Sequence, residues 1–268
     1  MELGLDGSAA FVAGASSGLG KACADALLGC GARVAICSRS EDRIAEAAES
    51  LRAAHPGATV LPLACDVTDE AQLASALRKT ADAFGGLHVL VTNAGGPPAG
   101  TIDDFDASDW EKALQLNLMS TINLSRHALP HLKRTAERDG WGRIIMISSL
   151  SAKQPIPTLY LSNVSRAGVQ GFAKSLSEEV GALGITVNTV LPGYTRTDRL
   201  RHLSDALSER TGKSVDEVEA GWAESSALKR IGTEEEFGAT VAFLASRPAG
   251  YITGVGLPID GGAVKSLL

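Results

Sequence analysis

The chain has 268 residues, of which 44% are hydrophobic and 21% are charged, so it can bury the core of one large α/β domain or two small ones. Its formal net charge of −6 and its lack of any run of Lys or Arg argue against a nucleic-acid-binding surface, which needs clustered positive charge. The sequence has no stretch of about 18 apolar residues and no secretory pattern at its start, so we expect a cytoplasmic protein that does not span a membrane. The four cysteines form no CxxC pair, so we expect small buried hydrophobic residues and no metal site.

Short apolar runs alternate with helical patterns along the whole chain. The runs that predict strands are Ala9–Ala13, Arg33–Cys37, Thr59–Leu63, His88–Thr92, Arg143–Ile147, Ile185–Val190 and Val255–Ile259. The helical patterns are Leu19–Leu28, Glu41–Ala54, Glu70–Phe84, Trp110–Arg138 and Arg166–Leu183. This alternation is typical of an α/β protein with a parallel sheet covered on both faces, and we expect a doubly wound Rossmann fold. No linker or repeat interrupts it, so we expect a single domain.

The least regular segment, residues 195–228, follows the sixth predicted strand. Ser214 and Glu217 have the spacing of a capping box, which predicts a short helix there, and Thr233 with Glu236 predicts a helix running through Ala245. Ligands bind beyond the carboxyl ends of parallel strands, so the segment is placed to act as a substrate lid. The alternative is a solvated surface insertion.

A glycine-rich turn with the spacing GxxxGxG lies between the first predicted strand and the first predicted helix. Glycines let the backbone turn sharply and approach a pyrophosphate, while the helix start supplies free N–H groups and a positive dipole. A glycine pattern alone is weak evidence, but the strand–turn–helix context favours a dinucleotide site. The predicted contacts are Gly14, Ser16, Ser17, Gly18, Leu19 and Gly20.

The second predicted strand is followed by Ser38 and Arg39, with no acidic residue. A site that prefers NAD(H) usually offers a carboxylate to the ribose 2′-hydroxyl, whereas an arginine accommodates a 2′-phosphate. The sequence therefore favours NADP(H) over NAD(H). The alternative is that Arg39 is only an exposed charge at the start of a helix.

Further motifs, in order over nearly the whole chain, resemble the short-chain dehydrogenase/reductase family. They are Asp66-Val67, Asn93-Ala94-Gly95, Asn117, Ser148-Ser149, Pro192-Gly193 with Thr195 and Thr197, and Asp260-Gly261-Gly262. The resemblance implies that Asp66 contacts the adenine ring and that the segment from Pro192 holds the nicotinamide carboxamide. It also implies that Asn117 orders a water and that Ser149 holds a substrate oxygen. Helix and strand-end polar residues with local hydrogen bonds are the alternative for these last two.

The resemblance fails at the residues that matter most for catalysis. The family uses Tyr-x-x-x-Lys, with a serine thirteen residues before the tyrosine. Counting from Ser149, that spacing reaches Ser162, and four further residues reach Arg166. The chain resembles a divergent branch of the family, one often grouped with 3-oxoacyl-carrier-protein reductases.

These replacements leave the proton donor open. A general acid needs a pKa near the working pH, which a serine hydroxyl lacks, and arginine stays protonated. Arg166 can still bind the nicotinamide ribose and add positive potential. Tyr160, two residues before the family position, and Tyr194, after Pro192-Gly193, are alternative phenols, and packing is the other interpretation of both.

Two functions remain at this point. One is an NADP(H)-dependent oxidoreductase that transfers hydride between nicotinamide and a ketone or secondary alcohol, of the 3-oxoacyl type by resemblance. The other is an NADP(H)-binding protein without hydride chemistry, such as a sensor or an assembly partner. The resemblance also implies a homotetramer or homodimer. An apolar stripe at Gly168, Val169, Phe172 and Leu176 fits pairing with a second copy, or equally packing on its own sheet.

Overall fold

The computed structural model describes residues 2–267, which form seven strands and nine α-helices. The strands are β1 (Ala9–Ala13), β2 (Arg33–Ser38), β3 (Val60–Ala64), β4 (Val89–Thr92), β5 (Gly142–Ile147), β6 (Ile185–Pro192) and β7 (Gly256–Ile259). They lie in one sheet in the order β3-β2-β1-β4-β5-β6-β7, and every neighbouring pair is parallel. This confirms the predicted doubly wound sheet.

The helices cover both faces of the sheet. They are α1 (Gly18–Gly29), α2 (Glu41–Ala54), α3 (Glu70–Phe84), α4 (Ala107–Leu114), α5 (Ser120–Asp139), α6 (Tyr160–Val180), α7 (Asp198–Thr211), α8 (Val215–Ser225) and α9 (Glu234–Ala245). Side chains of α1, α2 and α9 form a buried cluster on one face, and those of α3, α5 and α6 form a second cluster on the other. Among residues 2–267 no helix is long and apolar enough to cross a bilayer.

Strand β1 lies at the point where the strand order reverses. It pairs with β2 on one side and with β4 on the other, and all five of its residues are buried. Connections from its two neighbours run to opposite faces of the sheet, so a crevice opens at the carboxyl ends of β1 and β4. The glycine-rich turn and the Asn93 segment follow these two strands directly.

The helix predicted over Trp110–Arg138 is present but contains a π-helical turn that the sequence did not predict. Helix α4 ends at Leu114, a π-helical turn occupies Gln115–Met119, and α5 begins at Ser120. A single π turn adds one residue to an otherwise continuous helix, so the apolar period barely changes and the sequence does not reveal the break. Such turns are frequent at functional sites, and this one contains Asn117.

Two other boundaries differ from prediction. Helix α6 begins at Tyr160, six residues before the predicted start at Arg166, and both Pro155 and Pro157 lie outside it. Residues 197–228 contain two helices, where one short helix was predicted, and the missed helix α7 is mostly polar. Both predicted capping boxes are confirmed, at Ser214 for α8 and at Thr233 for α9.

Candidate cofactor and active site

The turn after β1 is a cradle that requires glycine at three positions. Gly14 has a φ of +59° and Gly18 a φ of +58°, a left-handed backbone that other residues rarely adopt. A Cβ atom on Gly20 would overlap the carbonyl oxygen of Gly14. The Asn93 side-chain amide donates a hydrogen bond of 3.0 Å to that same oxygen, which ties the end of β4 to the turn. The backbone is therefore held in position for close approach by a ligand at the start of α1.

A cleft of about 550 Å³ lies between this turn and the start of α7. Ser16, Ser17 and Gly18 line one side, and Thr197 and Leu200 are among the residues opposite. The Thr197 hydroxyl caps α7 by accepting a hydrogen bond from the Leu200 backbone N–H at 3.2 Å. The Thr197 methyl group lies 3.8 Å from the position that a Cβ atom on Gly18 would occupy, so α7 begins directly over the turn.

The carboxyl ends of β2 and β3 form the other end of the crevice. The Ser38 hydroxyl donates to the Ser40 carbonyl at 3.1 Å, and Arg39 is exposed. Within residues 2–267 Arg39 forms no ion pair. The Asp66 carboxylate accepts bonds from both the backbone N–H and the hydroxyl of Thr68, which fixes its orientation, and Val67 beside it is buried.

Beyond β6, the Pro192-Gly193 segment is held against the end of β7. The Gly193 N–H donates to the Ile259 carbonyl at 2.9 Å, and a Cβ atom on Gly193 would stand 2.7 Å from the Cα atom of Asp260. Thr195 is buried, and its hydroxyl donates to the Gly193 carbonyl at 3.4 Å. These contacts fix the segment that the sequence assigned to the nicotinamide carboxamide.

Three serines and an arginine meet at the carboxyl end of β5. The Ser149 hydroxyl accepts a bond from the Ser151 backbone N–H at 3.1 Å, and the hydroxyls of Ser151 and Ser162 lie 3.1 Å apart. The Arg166 side chain donates to the carbonyl of Ile147, the last residue of β5, at 2.9 Å. Ser162 is therefore linked to Ser149 through Ser151, and Arg166 is anchored to the end of the same strand.

Arg166 is only 6% exposed. Burial, together with the positive charge of Arg199, lowers its pKa to about 10, so the guanidinium still carries a full charge at neutral pH. A buried cation at the end of β5 stabilises any negative charge that develops near Ser149.

Asn117 is fully buried in the π-helical turn. Its backbone carbonyl accepts the Thr121 hydroxyl at 3.1 Å, but neither polar atom of its side chain meets a hydrogen-bond partner within residues 2–267. Buried amides are rarely left unpaired, so this side chain has the capacity to hold a water or a ligand atom.

Comparison with known proteins agrees with this arrangement. A family model described as enoyl-(acyl carrier protein) reductase matches residues 14–264. The NADPH-dependent reductase BacG of Bacillus subtilis is 33% identical over 258 residues, which cover 96% of this chain and 98% of that protein. The 3-oxoacyl-[acyl-carrier-protein] reductase FabG of Escherichia coli is 35% identical over 260 residues, with 97% and 98% covered.

This chain belongs to the short-chain dehydrogenase/reductase family. The predicted resemblance is thereby confirmed. Among solved structures, L-sorbose reductase from Gluconobacter frateurii, in complex with NADPH and L-sorbose, matches all of both chains with a TM-score of 0.93 at 31% identity.

The two candidate phenols of this short-chain dehydrogenase/reductase have different surroundings. Tyr160 is the first residue of α6 and is 44% exposed. Tyr194 stacks on Trp222 of α8, with ring centroids 4.9 Å apart, and burial raises its pKa. Across residues 2–267 neither phenol makes a hydrogen bond to Ser149. Within residues 2–267, the hydrogen bonds that connect Ser149, Ser151 and Ser162 include neither phenol.

The sequence did not single out two residues of this site. The Ser151 hydroxyl lies within hydrogen-bond distance of the Ser162 hydroxyl, and the charge of Arg199 lowers the pKa of Arg166. Ser151 could have been found from its position two residues after Ser149. Arg199 carries no motif, because its place depends on where α7 crosses the crevice.

Proposed function

We propose that this short-chain dehydrogenase/reductase uses NADPH to reduce a ketone to a secondary alcohol, and catalyses the reverse reaction with NADP⁺. The observation that carries the proposal is the glycine cradle, with an unpaired arginine and no acid at the end of β2. The names of BacG and of the L-sorbose reductase complex agree in specifying NADPH.

The residues of the crevice fit this cofactor from one end to the other. Gly14, Ser16, Ser17, Gly18, Leu19, Gly20, Ser38, Arg39, Asp66, Val67, Asn93, Ala94, Gly95, Arg166, Pro192, Gly193, Thr195 and Thr197 would hold it. Arg39 is positioned to pair with the 2′-phosphate. Once bound, the cofactor supplies or accepts the hydride.

On the substrate side, Ser149 donates a hydrogen bond to the carbonyl oxygen, and Arg166 stabilises the negative charge that develops there. Asn117 holds a water with its unpaired amide. These groups are buried or half-buried, so their electrostatic effect is larger than it would be in water. They raise the rate by favouring the charge of the transition state over that of the ketone.

The carbonyl oxygen also needs a proton, and we propose that water delivers it, with the hydroxyl of Ser149 as the last donor and those of Ser151 and Ser162 holding the water that supplies it. The support is that the Ser151 and Ser162 hydroxyls are buried 3.1 Å apart and that the Ser151 backbone N–H donates to the Ser149 hydroxyl. Each hydroxyl can accept one proton and donate another, so the serines need not ionise. Tyr160 is the alternative donor, acting from the exposed first turn of α6.

We further propose that residues 195–228 are a lid that closes over the substrate. The base of the segment is tied down by the Arg196 N–H, which donates to the Gly232 carbonyl at 2.9 Å, while α7 and α8 extend beyond it. A cytoplasmic homotetramer is the assembly that the family suggests. The stripe at Val169 and Leu176 packs in the chain's own core, so pairing between copies would use other residues of α5 and α6.

A direct test is NADPH consumption, followed at 340 nm, with acyl thioesters, diketones and aromatic ketones as substrates. We expect steady turnover with at least one class and no oxidation of NADPH without substrate. Tight NADPH binding without turnover on any of these would favour the alternative, a cofactor-binding protein without hydride chemistry.

A further inference from the structure

Three arginines follow one another closely where the chain enters α7, and they have different surroundings. Arg196 lies 3.6 Å from Glu219, and Arg201 lies 2.9 Å from Asp198. Arg199, between them, has no carboxylate oxygen within 4.0 Å anywhere in residues 2–267. The acids of this region therefore neutralise its two neighbours and leave Arg199 unpaired.

Arg199 reaches across the crevice. Its guanidinium donates to the Gly96 carbonyl at 3.3 Å and packs so closely on Gly96 that a Cβ atom there would overlap it. Gly96 follows the Asn93-Ala94-Gly95 motif, on the opposite side of the crevice from α7. The side chain is nonetheless solvent-accessible, so an incoming molecule can reach its remaining N–H groups.

A second cation without a carboxylate partner lies at the end of β5. The buried Arg166 hydrogen-bonds to the Ile147 carbonyl, and within the described chain no carboxylate approaches it either. Gly96, on which Arg199 packs, follows β4, and β4 pairs with β5, whose last residue holds Arg166. In agreement with this placement, the charge of Arg199 lowers the pKa of Arg166. Two like charges without a counter-ion repel each other, and an anion between them would remove that cost.

We propose that Arg199, supported by the charge of Arg166, binds a carboxylate of the substrate, so that the ketone reduced is an oxo acid. This inference rests on the proposed reductase function, whose site it specifies further. The planar guanidinium suits a carboxylate because two parallel N–H groups match its two oxygens. The carboxylate would then fix which face of the carbonyl meets the cofactor.

The cofactor diphosphate is the other anion that could reach this cleft, and the geometry favours the substrate. The diphosphate is expected at the glycine turn after β1, beneath Thr197. Arg199 instead packs on Gly96 in the segment after β4, and β4 is the neighbour of β5, whose last residue, Ile147, accepts a bond from Arg166. The guanidinium charge of Arg199, which no carboxylate neutralises within the described residues, is therefore at the end of the crevice where Ser149 would hold the substrate carbonyl.

The test compares 2-, 3- and 4-oxopentanoate with their uncharged methyl esters, using the wild-type enzyme and Arg199→Gln. Arg210→Gln is the matched control, because Arg210 is an exposed arginine in the last turn of the same helix. For each protein, kcat/KM for acid and ester and the Kd for NADPH are measured. A second titration follows binding of the same acids to the NADP⁺ complex by calorimetry.

We expect the wild type to prefer at least one acid over its ester, and Arg199→Gln to lower kcat/KM for that acid about ten- to a hundredfold. The acid should lose at least about tenfold more than its ester, and Arg210→Gln should match the wild type in kcat/KM and in the Kd for NADPH. Equal use of acid and ester by the wild type would overturn the inference while leaving the reductase function intact. So would an Arg199→Gln variant that only weakens NADPH binding, because Arg199 would then serve the cofactor diphosphate.

The calorimetric titration separates this inference from the proposed function. If no ketone is turned over but an oxo acid binds the NADP⁺ complex and Arg199→Gln abolishes that binding, the anion site stands and the reductase function fails. If no oxo acid binds and none is reduced, the anion site is refuted.

Discussion

Arg39 is an exposed cation at the carboxyl end of β2, and residues 2–267 supply no ion-pair partner for it. Charge-assisted hydrogen bonds to phosphate are among the stronger polar contacts. We therefore expect Arg39→Ala to raise the Kd for NADPH about ten- to a hundredfold and to leave the Kd for NADH nearly unchanged. Fluorescence titration with both cofactors measures this. An equal effect on NADH would show that Arg39 does not contact the 2′-phosphate.

The hydroxyls at the end of β5 give a second prediction at this scale. Ser149→Ala removes the donor to the carbonyl oxygen and should lower kcat/KM roughly a hundredfold or more. Ser162→Ala breaks the bond to Ser151 and should also lower kcat/KM, whereas Tyr160→Phe should leave it close to the wild-type value.

Steady-state kinetics on the three purified variants, with circular dichroism to check folding, separates these roles. A loss of about a hundredfold in Tyr160→Phe, the size that general acid catalysis contributes, would identify the phenol as the proton donor. It would also refute the route through the serines.

Single residues differ in how far the sequence reveals them. The glycine turn, Ser149 and Ser162 follow from fixed spacings, and the structure links the two serines through Ser151. Within residues 2–267, the Asn117 side chain lacks a hydrogen-bond partner and Arg199 lacks a carboxylate partner. Both properties depend on the residues that lie nearby in space, which no spacing along the chain encodes.

Helices α1 and α9 show how closely two elements of this fold approach each other. A Cβ atom on Gly238 of α9 would stand 2.5 Å from the Ala22 carbonyl oxygen and 3.2 Å from the Cβ atom of Ala26, both in α1. Gly238→Ala should therefore lower the free energy of unfolding by about 1–3 kcal/mol, because the helices must move apart.

Gly221→Ala in α8 is the matched control, since no atom lies within 4 Å of its added Cβ atom. Alanine is the better helix former, so this variant should gain about 0.5–1 kcal/mol. Urea unfolding of both variants measures the difference. Two variants of equal stability would show that α1 and α9 are not in close contact.

The sequence predicts strands and helices correctly where their buried residues recur with a clear period. The strands are continuous apolar runs and were located to within one or two residues. Helix α7 was missed because only Ser204 among its residues is buried, so it has no apolar stripe to detect. The π-helical turn was missed for the opposite reason, since the period continues through it.

At the scale of the whole molecule, His88 makes stability depend on pH. It lies at the amino-terminal edge of the sheet, where its Nδ1 accepts a bond from the Ala9 backbone N–H at 3.1 Å, which requires an unprotonated nitrogen. Its Nε2 lies 2.9 Å from Asp139. Burial lowers the pKa of His88, and Arg138 and Arg33 lower it further, while Asp139 opposes the shift.

The unfolded chain therefore takes up this proton at higher pH than the folded protein does. The stability that neutral His88 contributes is complete above the unfolded pKa of about 6.5 and is lost as pH falls from there towards the lowered folded pKa. We expect the urea midpoint to fall between pH 7.5 and 5.5, and His88→Gln to reduce that fall. His202→Gln, on the exposed surface of α7, is the control, and its urea midpoint should fall as much as that of the wild type. An unchanged pH dependence in His88→Gln would contradict this assignment.

The fold as a whole was the most predictable level, because alternating strands and helices leave few topologies once right-handed crossovers are required. The resulting order also fixes which residues meet at the crevice. What the order does not fix is whether the crevice transfers hydride.

The measurement that tests this most directly uses NADPH labelled with deuterium at C4 of the nicotinamide, with a panel of 3-oxoacyl thioesters and oxo acids. Mass spectrometry then locates the label in the products. We predict that deuterium from one face of the ring appears on the carbon that bears the new hydroxyl. Binding of the labelled NADPH with no deuterium in any product would contradict the reductase function and leave a protein that binds the cofactor without using it.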